Sequence, residues 1–330
     1  MLKQNIKKAA SIIKNGGVVA FPTETVYGLG ANIYNKDAIM RIFEIKGRAS
    51  DNPLIVHIDN IDKLTTLAIE IPKITYELAK KFWPGPLTIV FKKSDSVINE
   101  VSAGSDTVAI RIPNNSIAIE LLKIANVPIA APSANLSGKP SPTKASHVKD
   151  DLLNKVDYIL DGGETIIGVE STVIDITVSP PILLRPGGVS LEELRELLPN
   201  IQLHPNLKGE SQENIIKSPG MKYRHYAPDT NLFLFNPLTD DIELLIKKYK
   251  YLGNKIGVIA TLETHDKYNN IDKVFLLGSR KKMTDISKNL FNILREVDKY
   301  GLDLVFCETF EEKGIGLAVM DRLKRACEKK

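Results

Sequence analysis

The sequence predicts two α/β domains: an N-terminal domain on an open, twisted sheet and a smaller C-terminal domain with a Rossmann-like parallel sheet. The chain has 330 residues, more than one hydrophobic core usually accommodates. Short apolar runs alternate with helical patterns on both sides of residues 201–229, where apolar periodicity stops. Such alternation favours parallel strands. We therefore predict domains at 1–200 and 230–330, joined by a linker at 201–229.

The C-terminal part shows the alternation most clearly. Apolar runs predict strands at 231–235, 256–260, 274–277 and 303–307, and helical spacing predicts helices at 241–250, 284–299 and 315–327. Helix 284–299 has the best amphipathic face, with Ile286, Leu290 and Val297 on one side. No catalytic constellation stands out in this domain.

The N-terminal domain is organised around residues 16–58, GGVVAFPTETVYGLGANIYNKDAIMRIFEIKGRASDNPLIVHI. An amphipathic helix is predicted before it, and strands are predicted at 18–21 and 53–58. The polar segment between them predicts a loop at 23–30, which presents the hydroxyl groups of Thr23, Thr25 and Tyr27. Helical spacing follows at 37–45, with Asp37 placed to begin the helix. Hydroxyl groups and a helix end are thus held between two strands.

Two cations, Lys46 and Arg48, follow the C-terminal end of the predicted helix 37–45. Arg offers a planar fork suited to phosphate or carboxylate, and Lys a compact charge. The alternative is that both face solvent, since cations are favourable at a helix C-terminus. His57 lies in the next predicted strand, and a single His in an apolar strand is more often a hydrogen-bonded core residue than a ligand.

Helices predicted within 60–82 are followed by predicted strands at 87–92, 107–112 and 127–131. Further polar side chains lie in these strands or directly after them. Arg111 is unusual in an apolar strand, although an outward-facing charge is the commoner case. The loop 132–143, PSANLSGKPSPT, leaves the strand at 127–131. Its Ser133, Asn135, Ser137 and Ser141 either bind phosphate or ribose oxygens or do ordinary turn chemistry.

The segment 157–188 predicts strands at 171–177 and 181–185, the second ending at Arg185, for which a solvated charge is again the alternative. Ser190 and Glu193 predict a capping box before helix 191–198. Nowhere does the sequence carry a Walker A loop or a usable dinucleotide-binding fingerprint. If ATP binds, it binds by another arrangement.

Composition sets broad limits on function. The chain has 44 Lys plus Arg and 40 Asp plus Glu, a formal net charge of +4, which does not demand a polyanionic partner. Two cysteines twenty residues apart argue against a disulfide framework or structural zinc module. No apolar run approaches the ~20 residues that span a bilayer, and no signal sequence is evident. We predict a soluble cytoplasmic protein without membrane contact.

Four motifs resemble those of the threonylcarbamoyl-AMP synthases, over nearly the whole chain. PTETVYGLG is followed by Lys46, Arg48, Pro53 and Leu54 in the family's Lys-x-Arg…Pro-Leu spacing, and Ser133-x-Asn135 matches a third element. Within 201–229 stands Ser-Pro-Gly-x-x-x-x-His-Tyr-x-Pro, which includes Tyr226. The resemblance implies a YrdC-like catalytic domain at 1–200, an active-site lid at 201–229 and a Sua-type domain at 230–330.

The resemblance also implies a reaction. Family members condense L-threonine, bicarbonate and ATP to threonylcarbamoyl-AMP and pyrophosphate, the first step of a tRNA modification beside the anticodon. A threonylcarbamoyl-transferase complex then acts downstream, so contact with tRNA is expected to be indirect. Mg²⁺ would accompany ATP on its phosphates, because no protein carboxylate cage is evident.

The resemblance also implies roles for individual residues, position by position. The threonine-binding set would be Thr25, His57, Arg111, Ala131 and Ser171. The ATP-binding set would be Lys46, Arg48, Asn52, Thr107, Ser133, Asn135, Ser141, Arg185 and Tyr226. Of these, Lys46, Arg48, Ser133 and Asn135 would be catalytic. Cations and donors of this kind suit electrostatic stabilisation of charge on phosphorus.

Two other functions stay open at the sequence level. One is carbamoyl transfer of the hydrogenase-maturation type, whose proteins share the YrdC-like domain but add an acylphosphatase domain and zinc fingers, neither of which is in this sequence. The other is a non-enzymatic RNA-binding or translation-associated module, against which the small net charge counts.

Overall fold

The computed structural model describes residues 1–208, 226–268 and 270–327. Its helices are α1 (Leu2–Lys14), α2 (Lys36–Lys46), α3 (Leu64–Leu67), α4 (Ile74–Phe82), α5 (Asn99–Ser102), α6 (Ser116–Ala125), α7 (Ala145–Leu152), α8 (Leu191–Arg195), α9 (Glu243–Tyr251), α10 (Met283–Val297) and α11 (Gly316–Cys327). None of these helices is both long and apolar enough to cross a bilayer.

The strands are β1 (Val19–Phe21), β2 (Gly28–Asn32), β3 (Ile55–His57), β4 (Ala68–Ile69), β5 (Leu87–Lys93), β6 (Thr107–Arg111), β7 (Ile129–Ala130), β8 (Tyr158–Ile159), β9 (Thr172–Asp175), β10 (Ile182–Arg185), β11 (Gln202–Leu203), β12 (Asn231–Phe235), β13 (Ile256–Ala260), β14 (Lys273–Leu276) and β15 (Leu304–Glu308). Within the described ranges they form two sheets, one in each predicted domain.

The N-terminal sheet is mixed and open, as predicted. Its order is β11-β10-β9-β5-β6-β3-β7-β2-β1-β8, with β4 added beside β5. One apolar core packs α2 and α4 against the sheet, and a second core packs α1 and α6 against it. Neighbouring β3 and β6 run parallel, so that His57 lies beside Arg111.

The C-terminal sheet is entirely parallel, in the order β12-β15-β13-β14, which confirms the predicted Rossmann-like domain. Helix α10 buries the predicted apolar face, including Ile286, Leu290 and Val297. Strands β12 and β13 have the predicted bounds, and the remaining elements differ from the prediction by one or two residues.

The predicted loop at 23–30 is wrong in its second half. Residues 28–30 belong to β2, which pairs antiparallel with β1. A Cβ on Gly30 would lie 2.6 Å from the ring of Phe21, so the glycine allows an aromatic ring to pack directly on the strand. Gly30 therefore marks a close approach inside a sheet.

Two helix predictions also change. Helix α2 begins at Lys36, with the Asn35 side chain accepting from the backbone N–H of Ala38, so Asn35 and not Asp37 is the capping residue. The segment 60–82 holds a 3₁₀ turn, the short α3, β4 and α4 in place of one or two helices. β4 pairs antiparallel with the last residues of β5, a pairing that no local pattern reports.

The two domains pack closely. Val26 and Val169 of the N-terminal domain belong to the same core as Phe291 and Leu323 of α10 and α11. The first part of the predicted linker, at 202–203, pairs with β10 as an edge strand of the N-terminal sheet. The basic and aromatic residues predicted as a lid between 209 and 225 lie outside the described residues, so the predicted domain boundaries stay predictions.

Gly168 offers a test of this packing. Its φ is +81°, and an added Cβ would lie 2.4 Å from both Lys288 Cα and Ser287 O on α10. Gly163 has the same φ but no atom within 4 Å of that position. We expect Gly163→Ala to lower the free energy of unfolding by about 1–2 kcal/mol, and Gly168→Ala to lower it by about 1–3 kcal/mol more through overpacking. Equal losses in urea unfolding would contradict this domain contact.

Candidate functional site

The candidate site is a cleft where β3 and β6 end, between the loop after β1 and the loop after β7. It is lined by Thr23, Thr25, Val26, Gly28, Arg48, Ile55, His57, Arg111, Ala131, Pro132, Ser133, Asn135, Glu170, Ser171, Arg185 and Tyr226. Its volume of about 60 Å³ leaves room for about four to six waters. A space of this volume suits a small polar molecule.

Arg111 lies at the bottom of the cleft and is buried, so the outward-facing alternative is wrong. Its Nη2 lies 2.6 Å from Oε1 of Glu24, and both side chains are 4% exposed. Nη1 donates to Thr25 Oγ1 at 3.0 Å, and Nε donates to the carbonyl of Gly85 at 3.3 Å. Because the fork is held at three points, Arg111 presents a fixed positive charge at the cleft.

The loop after β1 is tied by its own hydroxyl groups. Thr23 Oγ1 donates to the carbonyl of Val26 at 2.6 Å and lies 2.8 Å from Thr25 Oγ1. Its oxygen also accepts from the backbone N–H groups of Thr25 and Val26. This local turn holds Thr25 against Arg111.

His57 is a buried, neutral side chain. Its Nδ1 lies 3.2 Å from the carbonyl of Ile55, and its ring meets the ring of Phe21 edge-on at 6.0 Å. Burial, aided by the charge of Arg111, lowers the pKa of His57 to about 3. The ring thus lines the cleft and also belongs to the core, so both sequence alternatives hold in part.

This lowered pKa predicts a pH dependence of stability. An unfolded histidine takes up a proton below about pH 6.5, whereas His57 in the fold does so only near pH 3. The unfolded state therefore binds more protons between these values, and stability falls as the pH falls. We expect His57→Gln to reduce the slope of unfolding free energy against pH by up to about 1.4 kcal/mol per unit between pH 6 and 4.

Urea unfolding of both proteins at several pH values measures this slope. His147, whose pKa is lowered to about 4 mainly by burial, acts in the same direction and is left in place in the variant. The variant should therefore keep part of the slope. A slope equal to that of the unaltered protein would contradict a neutral, buried His57.

Lys46 is the last residue of α2, yet it points inward and is 3% exposed. Its Nζ donates to the carbonyls of Ser133 and Asn135, at 2.5 Å and 2.6 Å. Burial, together with the nearby Arg48, holds the pKa of Lys46 well below its usual range. The solvent-facing alternative is wrong for Lys46, which lies behind the cleft and fastens the loop 132–143.

Arg48 reaches the cleft because α2 ends in a left-handed turn. Gly47 has φ +58°, and the backbone N–H of Arg48 turns back to the carbonyl of Phe43 at 2.9 Å. Arg48 Nη2 donates to the carbonyls of Asn52 and Pro53. The Asn52 side chain is fully buried, and its amide has no hydrogen-bond partner among the described residues.

The loop 132–143 is ordered by its own contacts. Asn135 Nδ2 donates to the carbonyls of Leu136 and Lys139 at 2.7 Å and 2.9 Å. Ser141 Oγ donates to Oε1 of Glu170 at 2.5 Å. Ser133 and Asn135 line the cleft, whereas Ser141 lies behind Glu170, outside the lining.

Arg185 and Ser171 form a second buried cluster. Arg185 Nε and Nη2 donate to the Ser171 carbonyl at 3.1 Å and 3.0 Å, and Nη2 also reaches Ser171 Oγ at 3.1 Å. Thr88 Oγ1 lies 2.8 Å from Ser171 Oγ. Burial lowers the pKa of Arg185. The solvated alternative for Arg185 is therefore wrong.

Tyr226 is the described residue through which the predicted lid reaches the cleft. It is buried, its ring stacks on Phe291 at 5.3 Å, and the guanidinium of Arg322 lies 5.2 Å from its centroid. The next residue, Ala227, donates its N–H to the carbonyl of Gly138 at 3.0 Å. The described end of the predicted lid thus joins the loop 132–143 to α10 and α11.

Most of the sequence-predicted residues meet in this cleft. Those that line it are Thr25, Arg48, His57, Arg111, Ala131, Ser133, Asn135, Ser171, Arg185 and Tyr226. Those outside the lining are Lys46, Asn52, Thr107 and Ser141. Thr107 begins β6, at the other end of the strand from Arg111.

Sequence reasoning missed three carboxylate or guanidinium groups that organise the cleft. Glu24 stands inside the PTETVYGLG motif and pairs with Arg111, so its position in the motif was a usable signal. Glu170 and Arg322 pair with each other across 152 residues. No local pattern reports such a pair.

Two family models together match almost the whole chain. Residues 11–187 match the family model Sua5_yciO_yrdC, described as "Telomere recombination". Residues 189–327 match the model described as "Threonylcarbamoyl-AMP synthase, C-terminal domain". Both predicted domains therefore have counterparts in known families.

Curated relatives are similar over almost their full length. The threonylcarbamoyl-AMP synthase of Pyrococcus abyssi is 51% identical, over 97% of this chain and 93% of the relative. That of Bacillus subtilis is 45% identical, over 97% and 92%. The crystal structure of P. abyssi Sua5 complexed with L-threonine superposes with a TM-score of 0.93 at 50% identity, covering 98% of this chain and 94% of that one.

Proposed function

Because this chain belongs to the Sua5–YciO–YrdC family, we propose that it condenses L-threonine, bicarbonate and ATP to threonylcarbamoyl-AMP and pyrophosphate. The observation that carries the proposal is the fixed guanidinium of Arg111 in a cleft sized for a small molecule. The relative of known structure, with a TM-score of 0.93, binds L-threonine.

We propose that threonine binds at the inner end of the cleft. The Arg111 guanidinium would pair with its carboxylate, a charge-assisted contact of about 1.5–3 kcal/mol. Thr25, Ser171, neutral His57 and the backbone at Ala131 would surround the rest of the molecule. A neutral imidazole next to Arg111 would line the threonine site without adding a second positive charge.

ATP would occupy the outer part, beside the loop 132–143. Arg48 and Arg185 line the cleft as cations, and Ser133 and Asn135 line it as neutral groups; these four residues would contact the nucleotide. Lys46, Asn52, Thr107 and Ser141 would support these residues from behind, and Tyr226 would cover the nucleotide. The space of about 60 Å³ is smaller than ATP, so the nucleotide would extend out of the cleft.

The chemistry proposed for this chain is electrostatic. The threonine amine would attack the carbon of bicarbonate, and water would leave to give the carbamate. A carbamate oxygen would then attack the α-phosphorus with pyrophosphate leaving. The cleft cations would stabilise the charge that develops on the phosphoryl oxygens, and the closed cleft would align the reactants and exclude water. No side chain of the chain needs to form a covalent intermediate.

We propose that Mg²⁺ enters with ATP as part of the substrate. The cleft carboxylate Glu170 already accepts from Ser141 and Arg322, one on each oxygen. The phosphates would therefore supply the ligands of the ion, which would neutralise charge on the leaving pyrophosphate. A cytoplasmic location, a downstream threonylcarbamoyl-transferase complex and an indirect link to tRNA complete the proposal.

Pyrophosphate release tests this function. ATP and Mg²⁺ are incubated with the protein while L-threonine and bicarbonate are each omitted in turn, and the nucleotide product is identified by mass spectrometry. Release that needs both, with threonylcarbamoyl-AMP as product, is expected. Release without threonine would remove the threonine assignment, and no release would leave the RNA-binding alternative to test by tRNA retention at raised salt.

The carbamoyl-transfer alternative is less well supported. Residues 189–327 match the C-terminal domain model of threonylcarbamoyl-AMP synthases, and the full-length relatives carry that name. In the same assay, ATP-dependent turnover of carbamoyl phosphate without threonine would favour the alternative.

A further inference from the structure

A buried arginine of the C-terminal domain contacts a residue that lines the cleft. Arg322 on α11 is completely buried, and its Nε donates to Oε2 of Glu170 at 2.8 Å. Its Nη2 donates to the carbonyl of Pro186 at 2.9 Å, and Nη1 pairs with Asp321. A fully buried arginine needs such partners, because an unpaired one would be strongly destabilising.

Glu170 lines the cleft, so it connects Arg322 to the cleft. Its second oxygen accepts from Ser141 Oγ at 2.5 Å, so one carboxylate joins α11 to the loop 132–143. Burial alone would raise the pKa of Glu170, but Arg322 and Arg185 hold it below its usual range. The carboxylate is therefore charged and can bridge two donors.

Arg322 also lies between the two segments that carry Ser171 and Arg185. Glu170 directly precedes Ser171, and Pro186 directly follows Arg185. A Cβ on Gly187 would lie 2.3 Å from the carbonyl of Glu170, which shows how tightly these segments touch. One guanidinium thus fixes both segments from the other domain.

The loop 132–143 is held from the C-terminal domain at a second point. Arg295 on α10 donates to the carbonyl of Pro140 at 2.5 Å and pairs with both oxygens of Asp151, at 3.1 Å and 2.7 Å. Asp151 in turn accepts from the backbone N–H of Leu136. The second contact is independent of Arg322, so loss of Arg322 should loosen the loop without detaching it.

We propose that Arg322 is a positioning residue for the cleft: through Glu170 it sets the position of Ser141 and of the segments carrying Ser171 and Arg185. The activity readout of this proposal rests on the proposed function, but its structural readout does not. The C-terminal domain would then be needed to order the site, because without it Glu170 would lack Arg322, its main counter-charge.

The test compares Arg322→Gln, Glu170→Gln and the double variant in the full-length protein. Lys324→Gln is the matched control, since Lys324 lies on the same helix and is exposed. We expect Arg322→Gln to raise KM for ATP about tenfold or more with folding retained, Arg322→Lys to recover part of the loss, and Lys324→Gln to behave as the unaltered protein.

Coupling and exchange measurements separate positioning from general stability. If Arg322 acts through Glu170, the double variant should lie within about threefold of the worse single variant, whereas independent effects would multiply. Amide hydrogen exchange in the peptides covering 132–143 should speed up in Arg322→Gln and not in Lys324→Gln.

Two results would overturn the proposal: multiplying effects in the double variant, or unchanged exchange in this loop. An inactive unaltered protein would instead count against the proposed function. In that case the exchange experiment alone still decides the role of Arg322.

Discussion

Arg111→Gln is expected to lower kcat/KM for L-threonine by about 100-fold or more while ATP affinity changes by less than about threefold. Removing one partner of a buried, hydrogen-bonded charge pair typically costs 2–5 kcal/mol in binding, which corresponds to about 30-fold to several thousandfold. Steady-state kinetics with threonine varied, and calorimetric titration of ATP, measure the two effects separately.

A control is needed because Arg111 also neutralises Glu24. Arg111→Gln leaves that carboxylate buried without its counter-charge, which is itself destabilising. The double variant Glu24→Gln/Arg111→Gln removes both charges and should fold better, yet still fail to use threonine. Recovery of threonine use in the double variant, or loss of ATP binding in the single one, would show that Arg111 has another role.

Lys46→Met is expected to lower kcat/KM for ATP by about 100-fold. Methionine has a similar length but no donor, so the carbonyls of Ser133 and Asn135 lose the ammonium that joins them. Each charge-assisted bond is worth about 1.5–3 kcal/mol. The loop 132–143 would relax away from the cleft, and two buried carbonyls would be left without that partner.

Lys14→Met is the matched control, because Lys14 also stands in the last turn of a helix but is exposed. Its kinetics should equal those of the unaltered protein. The Lys46→Met result should appear mainly in KM for ATP, with threonine binding retained. Wild-type ATP kinetics in Lys46→Met would contradict any role for this lysine in the cleft.

The parts of the fold that were predictable are those with a local pattern. Helix α10 shows its buried face in its own spacing, and β13 is a continuous apolar run bounded by polar residues. The capping box of Ser190 and Glu193 is also local, and it is present. β4 and the sheet role of 28–30 depend on a neighbouring strand, so local reasoning missed both.

The candidate site divides in the same way. Thr25, Arg48 and His57 fall in one contiguous stretch with a recognisable motif, and all three line the cleft. Local position alone favoured solvent for Lys46, Arg111 and Arg185, because isolated charges at helix and strand ends usually face water. All three are buried, since each has hydrogen-bond partners that come from other segments.

The sequence by itself determined the two-domain α/β plan, the stretch that carries the site and the family resemblance, because these are written in local spacing and motifs. Only the tertiary structure decided which charges are buried and what neutralises them. Burying a charge is favourable only when a partner is in reach, and that partner can be as distant in sequence as Arg322 is from Glu170. Such a pair exists only once both domains have folded against each other.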